Sequence, residues 1–510
     1  MPSHISPGVY VSELDFSQYI TTLGTTQFGV VGVANKGEVN KLISISNEAE
    51  LIDTFGEPEN DYFGLLCAIR YLRRGRSLRF VRVASSSVAY AENTHVKGNS
   101  PPEDVAKLSA SSPGTWGNNI AVAIGPGTTL DDSYKVLVYY KGVLVETFDN
   151  LVLDDTKENY IFSYVTNNSK YVSLTKTAAT VNSLASDIYT LSGGNSGTGV
   201  TADDIIGQQT GSTRTGLQIF RDVDNVDINI LAVPGCSTIV PDSAKEIIAE
   251  LIDIASSRGD CLALIDPPFG KGVDAIVDWH NGKGTGSGDP DAALNSSYAA
   301  LFWPWVEVYD SYSGQKIWLP PSGHVAAVMA YTDTVRDVWF APAGLQRGVL
   351  VDCLDTEYSP DVGERDLLYG GLNRVNPIVN LPVDGITIWG QKTLLRSNSA
   401  LTSINVRRLL NYAKKIVQVS VRHLLFEPND EGTWRQFVNT VEPYFRTIKA
   451  RRGLYNFTVI CDQTTNTPDR IARGEMWAKI ILQPTRAAEI IEVEFAVTNT
   501  GTVFSEIEAL

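Results

Sequence analysis

Cysteine, histidine and methionine are scarce in this chain: five, five and three among 510 residues. Cys67, Cys236, Cys261, Cys353 and Cys461 are odd in number, far apart and form no C-x-x-C pair. That spacing argues against a disulfide framework or a zinc site and for buried free thiols in a reducing compartment. His4, His95, His280, His324 and His423 show no HExxH or other ligand spacing, so no metal site is expected. Long apolar runs are missing too. The longest clear one, YAALFWPWV from Tyr298 to Val306, is half of the roughly 18 residues that a membrane span requires and contains a proline. The start lacks a basic segment followed by an apolar core, so no secretory signal is read and folding in a cytoplasm is expected.

Catalytic signatures are equally sparse. No G-x-S-x-G or comparable nucleophile context occurs, and the carboxylate pairs read as solvated surface. The glycine-rich NGKGTGSGDPD, Asn281 to Asp291, lacks the spacing GxxxxGK[ST] and does not lie between a strand and a helix. It reads as a surface loop rather than a phosphate cradle, and LSGGNSGTG, Leu191 to Gly199, reads as a turn. Nothing argues for an enzyme: no catalytic, cofactor-binding or metal residue is assigned and no cofactor is expected.

What is present is an ordinary globular composition, 43% hydrophobic, long enough for about three domains. The net charge of -16 is unevenly spread. Gln391 to Ile480 holds fifteen Lys and Arg against seven Asp and Glu, an excess of +8 that leaves -24 on the rest. A basic block in an acidic protein suggests a face that meets something negative, either nucleic acid or an acidic protein surface. Nucleic acid would usually bring exposed aromatics or a recognised fold, and neither is evident.

Periodicity gives the layout. Phe28 to Ala34 reads as a buried strand, a helix opens near Asn47, another closes at Gly75, and Leu78 to Val83 is a strand. From about Ser85 to Gly216 the texture turns to Ser, Thr, Gly and Asn; Lys135 to Phe148 forms a hairpin around YKG, with one helical stretch at Val181 to Leu191. Asp227 to Cys236, the helix up to its stop at Gly259, and CLALIDPP then form a βαβ unit. In the last third, Val406, Leu409, Leu410, Ala413, Ile416, Val417, Val421 and Leu424 make one apolar helical stripe. Arg407, Arg408, Lys414, Lys415 and Arg422 lie off it, so their charge is expected to point outward. A second helix follows, with Pro443 as a kink candidate, then strands in LYNFTVICD and MWAKIILQP.

The fold class is therefore α/β (α+β) and multidomain. The expected division is an N-terminal arm, 1–25; a discontinuous α/β core, 26–84 and 217–380; an inserted β-rich domain, 85–216; a C-terminal α/β domain, 381–497; and a C-terminal arm, 498–510. Both arms are strand-like, PGVYVSELDF at one end and IIEVEFAVTNTGTVFSEIEAL at the other. A strand at the end of a chain needs an edge that something else supplies.

PGVYVSELDF, VVGVANKG and ISISNEAELIDTFG resemble the start of the contractile tail sheath proteins of bacteriophages. WLPPSGHVAAVMAYTDTVRDVWFAPAG, GITIWGQKTL, INVRRLL, FEPND and VICDQTTNTPDRIARGEMWAKIILQPTRAAEII look like the same family's markers, and PGTWGN, Pro113 to Asn118, fits its variable insertion. The resemblance implies a structural subunit that stacks as hexameric rings around an inner tail tube and contracts to drive the tube through the host envelope during genome delivery. It implies exchange of terminal strands between subunits, carried here by Val9, Tyr10, Val11, Ile491, Val493, Phe495, Val497, Val503 and Phe504, and tube contact by Arg407, Arg408, Lys414 and Lys415. The implied partners are further copies, the tube, baseplate and tail terminator proteins, with no nucleic acid and no membrane insertion. The implied location is the phage tail, after assembly in the host cytoplasm. The sheath of a related bacteriocin or secretion machine, and an adhesin using the Ser/Thr-rich β domain, are the alternatives.

Overall fold

The computed structural model describes residues 26–59, 61–98, 103–178, 181–282 and 293–492. It opens with β1 (Phe28–Gly32), β2 (Leu42–Ile45), α1 (Glu48–Phe55), α2 (Phe63–Leu72) and β3 (Leu78–Arg82). Asn47 caps α1 by accepting a hydrogen bond from the Glu50 amide, which satisfies one of the unpaired donors of the first turn.

An insertion follows: β4 (Glu92–Lys97), β5 (Asp104–Ala110), β6 (Ile120–Pro126), β7 (Tyr134–Tyr140), β8 (Val143–Leu151), α3 (Ile161–Asn168), β9 (Val172–Lys176) and β10 (Asp187–Thr190). It forms a four-stranded sheet, β10-β6-β7-β8, and a three-stranded one, β4-β5-β9, over a core of its own. The β7–β8 turn places Lys141 at φ 50° and Gly142 at φ 80°, the left-handed pair that matches the twist of a two-residue hairpin. The helical stretch expected at Val181 to Leu191 is not one. Its end is β10, paired with β6 from Asp187 to Thr190, because an open sheet edge outweighs weak helical spacing.

The chain returns through α4 (Ala202–Ile206), the short hairpin β11 (Gln209–Thr210) and β12 (Thr213–Arg214), a 3-10 turn at Gly216–Arg221, β13 (Ile230–Ala232), α5 (Cys236–Ile239), α6 (Ala244–Arg258), β14 (Leu262–Ile265) and α7 (Val273–His280). Gly259 stops α6 at φ 71°. After α7 come β15 (Ala299–Trp303), β16 (Val306–Asp310), β17 (Gln315–Leu319), α8 (Ser322–Val335), β18 (Cys353–Thr356), α9 (Val362–Tyr369), β19 (Val375–Leu381) and β20 (Gly385–Ile388).

One eight-stranded sheet, β2-β3-β1-β13-β14-β15-β19-β20, gathers strands from both sides of the insertion. Its inner six strands are parallel and its two edges antiparallel. β1, β14 and β15 are buried along their whole length, which is why they read as unbroken apolar runs rather than alternating ones. On β1, Gly29 lies under Phe220 of the 3-10 turn and Gly32 against Gly64 of α2. Three positions apart on a strand means opposite faces, so α2 and the Phe220 turn cover opposite sides of the sheet. That is the arrangement right-handed crossovers produce when the winding direction reverses between β1 and β13.

The C-terminal part contains α10 (Ile404–Ser420), α11 (Glu431–Ala450), β21 (Leu454–Ile460), α12 (Pro468–Ala472) and β22 (Lys479–Pro484). Its separate core joins Leu409, Ala413, Trp434, Phe437, Val441, Phe445 and Leu454 to Trp339 from the loop after α8. Pro443 sits inside α11. No helix among the described residues is long and apolar enough to cross a membrane.

Candidate functional site

The basic helix α10 corrects one expectation. Its apolar stripe is as read: Val406, Leu409, Ala413 and Ile416 are buried. The opposite side faces water only in part: Lys414 and Arg422 are exposed, but Arg407 and Arg408 are not. Arg407 and Arg408 are each 4% exposed. Arg407 Nη2 donates to Ser297 Oγ at 2.6 Å and its guanidinium lies 4.0 Å from the Tyr298 ring centre; burial pulls its pKa below the usual arginine range. Lys415 pairs with Asp227 and is partly covered. Lys414 alone of the four is exposed, with Nζ donating to the Tyr298 hydroxyl at 3.0 Å. The physical reason is that α10 is clamped between two layers, its apolar stripe on the C-terminal core and its polar side on residues that lead into β13 and β15 and on Asp333 of α8.

Arg408 makes the strongest of these contacts. Its two terminal nitrogens donate to the two carboxylate oxygens of Asp333 on α8, at 2.9 and 2.5 Å, the bidentate fork that a planar guanidinium favours. Asp333 Oδ2 also accepts from the Thr26 hydroxyl, and the Thr26 carbonyl accepts from the Tyr71 hydroxyl at 2.6 Å. One carboxylate therefore ties together the point where the first described residues begin, a core helix and the C-terminal domain. A cleft of about 270 Å³ opens beside it, lined among others by Asp260, Asp337, Trp339 and Tyr412. Arg451 closes a second link across it, Nη2 to Asp337 Oδ1 at 2.9 Å.

Doubly wound sheets bind ligands in the crevice beyond the strand ends, where the winding reverses. Here the insertion plugs the ends beside that point. Arg82, fully buried, donates to the carbonyls of Gly37, Pro113 and Ser196. Gly114, at φ 145°, lies so close to the Asn35 carbonyl that a side chain there would collide with it. Lys36 reaches over the rings of Trp116 and Tyr171, at 4.9 and 5.2 Å, and burial lowers its pKa. PGTWGN is thus a docking loop, and LSGGNSGTG does more than turn: its Ser196 carbonyl holds Arg82.

Within the C-terminal domain β21 pairs with β22 alone, a two-stranded sheet with its outer edges unpaired among the described residues. α11 packs on β21, while Tyr455 and Ile481 are exposed, at 63% and 49%. Of the residues expected to exchange, Ile491 is described; it is 82% exposed and in no strand. Val9, Tyr10, Val11, Val493, Phe495, Val497, Val503 and Phe504 lie outside the described residues, as does most of the glycine loop after Gly282.

The profile of the phage tail sheath protein central domain matches residues 199–394, and that of the phage tail sheath C-terminal domain matches residues 396–498. The chain belongs to the phage tail sheath family. It is 29% identical over 419 residues to the tail sheath protein of Enterobacteria phage T4, covering 78% of this chain and 60% of that one. Against the tail sheath protein of Vibrio phage KVP40 it is 30% identical over 304 residues, covering 57% of this chain and 45% of the relative. The matches thus span less than two thirds of either relative. A solved sheath tail protein of Listeria innocua shares the fold, with a TM-score of 0.61 at 13% identity, covering 92% of this chain and 97% of the other.

Other reactive groups of this sheath chain are held inert. Among the described residues His324, Asp352 and Cys353 bring ligand atoms within 4.8 Å of one another. Asp352, however, already accepts from Arg70 at 3.2 Å and Arg73 at 2.8 Å. Burial would raise its carboxyl, but His324 and the two arginines hold it well below the usual carboxylate range. Two flanking guanidiniums disfavour a metal cation there. Burial pushes the Cys236 and Cys261 thiols up to about 12, which keeps them un-ionised. Asp266, at the end of β14, accepts from the Ser322 amide at 2.9 Å and its hydroxyl at 2.6 Å, capping α8 from outside. Sequence gave no sign of this, since the capping carboxylate comes from another element.

Proposed function

We propose that this chain is the structural subunit of a contractile tail sheath. Copies polymerise as stacked hexameric rings around an inner tail tube, attach to baseplate and terminator proteins, and contract to drive the tube through the host envelope. The role is mechanical, without catalytic turnover, and the product is part of the virion tail assembled in the host cytoplasm. The observation that carries this is the two-stranded sheet of the C-terminal domain, whose outer edges are unpaired among the described residues, on a chain with strand-patterned segments at both ends. Val9 to Val11, Ile491 to Val497 and Val503 to Phe504 would add to that edge on neighbouring copies. Each backbone hydrogen bond is worth about 0.5 to 1.5 kcal/mol net, so a ladder of several persists while flexible arms let whole subunits shift.

The C-terminal domain faces the tube in this reading. Lys414 stays a candidate contact, whereas Arg407 and Arg408 are too deeply buried to touch another molecule without rearrangement. The exposed side of α11, with Arg435, Arg446 and Lys449, is better placed to meet an acidic tube. Exposed charge pairs are each worth about 0 to 1 kcal/mol, weak enough for the sheath to hold register and still release.

Negative-stain electron microscopy of the purified chain tests the proposal, intact and lacking residues 493–510. Hollow cylinders from the intact chain, lost on truncation, are expected. A chain that stays monomeric when concentrated and with tube present, yet binds cells, would instead favour the adhesin.

A further inference from the structure

Two surface patches on opposite faces of the core sheet carry charge of opposite sign. On one face α2 and α8 run parallel. Gly323 at the start of α8 abuts Cys67 in the middle of α2, and Arg74 just past the end of α2 stacks 4.8 Å from the Tyr331 ring near the end of α8. Their C-termini therefore emerge together, bringing Arg73, Arg74, Arg76 and Arg336 to one end of the layer. Cations suit helix C-termini, and Asp352 answers Arg70 and Arg73. That leaves a surplus: Arg76 and Arg336 are exposed and form no ion pair among the described residues. Between the two helices lies a cleft of about 230 Å³ whose rim includes Val351, 69% exposed.

The other face of the same sheet carries an acidic patch. α4, α6 and the 3-10 turn before β13 pack together there, and Asp203, Asp224, Asp242 and Glu246 are exposed without an ion pair among the described residues. Of the cations nearby, Arg221 is held by Glu250 at 2.7 Å and by Asp253, Arg214 pairs with Asp222, and Lys245 reaches the Trp279 carbonyl at 2.7 Å.

We propose that the arginine-bearing end of α2 and α8 docks on the acidic α4–α6 face of a second copy. A joint between two different faces of one molecule is heterologous: each subunit keeps one free face of either sign, so the contact propagates into a ring or helix instead of closing a dimer. Opposite potentials set register and suppress like-face encounters, and Val351 with the cleft below it supplies the apolar centre that exposed charges lack. The inference rests on the sheath reading for the existence of a polymer and adds the surfaces that join its subunits.

Two double variants of the full chain test it: Arg76→Glu with Arg336→Glu, and Asp242→Lys with Glu246→Lys. All four positions are exposed, so monomer melting is expected to stay within a few degrees of wild type. Each double variant alone should need at least about tenfold more protein for half-maximal assembly, read by light scattering and electron microscopy. Mixed in equal amounts the two should copolymerise, because each then offers the face the other lacks. Wild-type cylinders together with unimpaired assembly of both variants would overturn the inference and leave the sheath reading intact. Failure of the mixture to recover would overturn it as well. A wild-type chain that forms no polymer would overturn both.

Discussion

Arg408 on α10 and Asp333 on α8 form a two-pronged ion pair that is almost sealed from water, with side-chain exposures of 4% and 11%. Thr26 completes the carboxylate's contacts. With the Arg407, Lys415 and Arg451 contacts the pair fastens the C-terminal domain to the core, so a pull on either is transmitted to the other through these side chains and not through the connecting chain alone.

Removing one partner should be worse than removing both. Asp333→Ala leaves a buried guanidinium uncompensated, at a cost of about 3 to 5 kcal/mol. Arg408→Met with Asp333→Leu replaces the pair by apolar volume and should recover most of that loss. Urea unfolding of the three proteins checks the order; a double variant as unstable as the single one would show that geometry, not charge, is what matters there.

Gly114→Ala should loosen the insertion from the core. Its backbone is in a region that only glycine occupies easily, and the Asn35 carbonyl fills the space a methyl group would take. Loss of at least about 2 kcal/mol is expected. Limited proteolysis should cut first near residues 84 and 200, where the chain enters and leaves the insertion, and at wild-type rates if the loop simply shifts.

Two buried groups tilt the pH dependence in opposite directions. Burial, opposed by hydrogen bonds from Ser322 and Gly235, pushes the Asp266 carboxyl up to about 7. A raised folded pKa means its favourable contribution is complete below the unfolded value near 4 and is lost as pH rises towards 7. Burial, helped by Arg396 and Lys245, pulls the His280 imidazole down to about 4. Its contribution is complete above an unfolded pKa near 6.5 and is lost as pH falls towards 4. Asp266→Asn should expose the histidine slope, with stability falling on acidification by a few kcal/mol; His280→Leu should expose the reverse slope. Parallel pH profiles for the two variants would contradict both assignments.

Reversing charge on α11 separates tube contact from folding. Arg446→Glu with Lys449→Glu changes exposed side chains, the first paired with Glu442 one turn away, and should leave melting nearly unchanged while weakening co-sedimentation with tubes, most at low salt. Arg407→Glu should instead destabilise the monomer, since it places a carboxylate against Tyr298 and Ser297 in a buried site.

Much was legible from local pattern. The unbroken apolar runs of β1, β14 and β15, the stop of α6 at Gly259, the Lys141-Gly142 hairpin and the apolar stripe of α10 each depend on residues within a few positions of one another, where backbone sterics and periodicity act. The family markers carried the sheath resemblance in the same way. What α10 does with its charges was not legible, because an amphipathic pattern identifies the apolar side and is silent on what covers the other. Asp333 lies 75 residues from Arg408, and Asp227 lies 188 from Lys415. Tertiary packing alone brought those carboxylates to the helix, and it drew Arg407, Arg408 and Lys415 into an internal clamp while Lys414 and Arg422 stayed exposed, because a buried guanidinium is tolerated only where a partner is already in place.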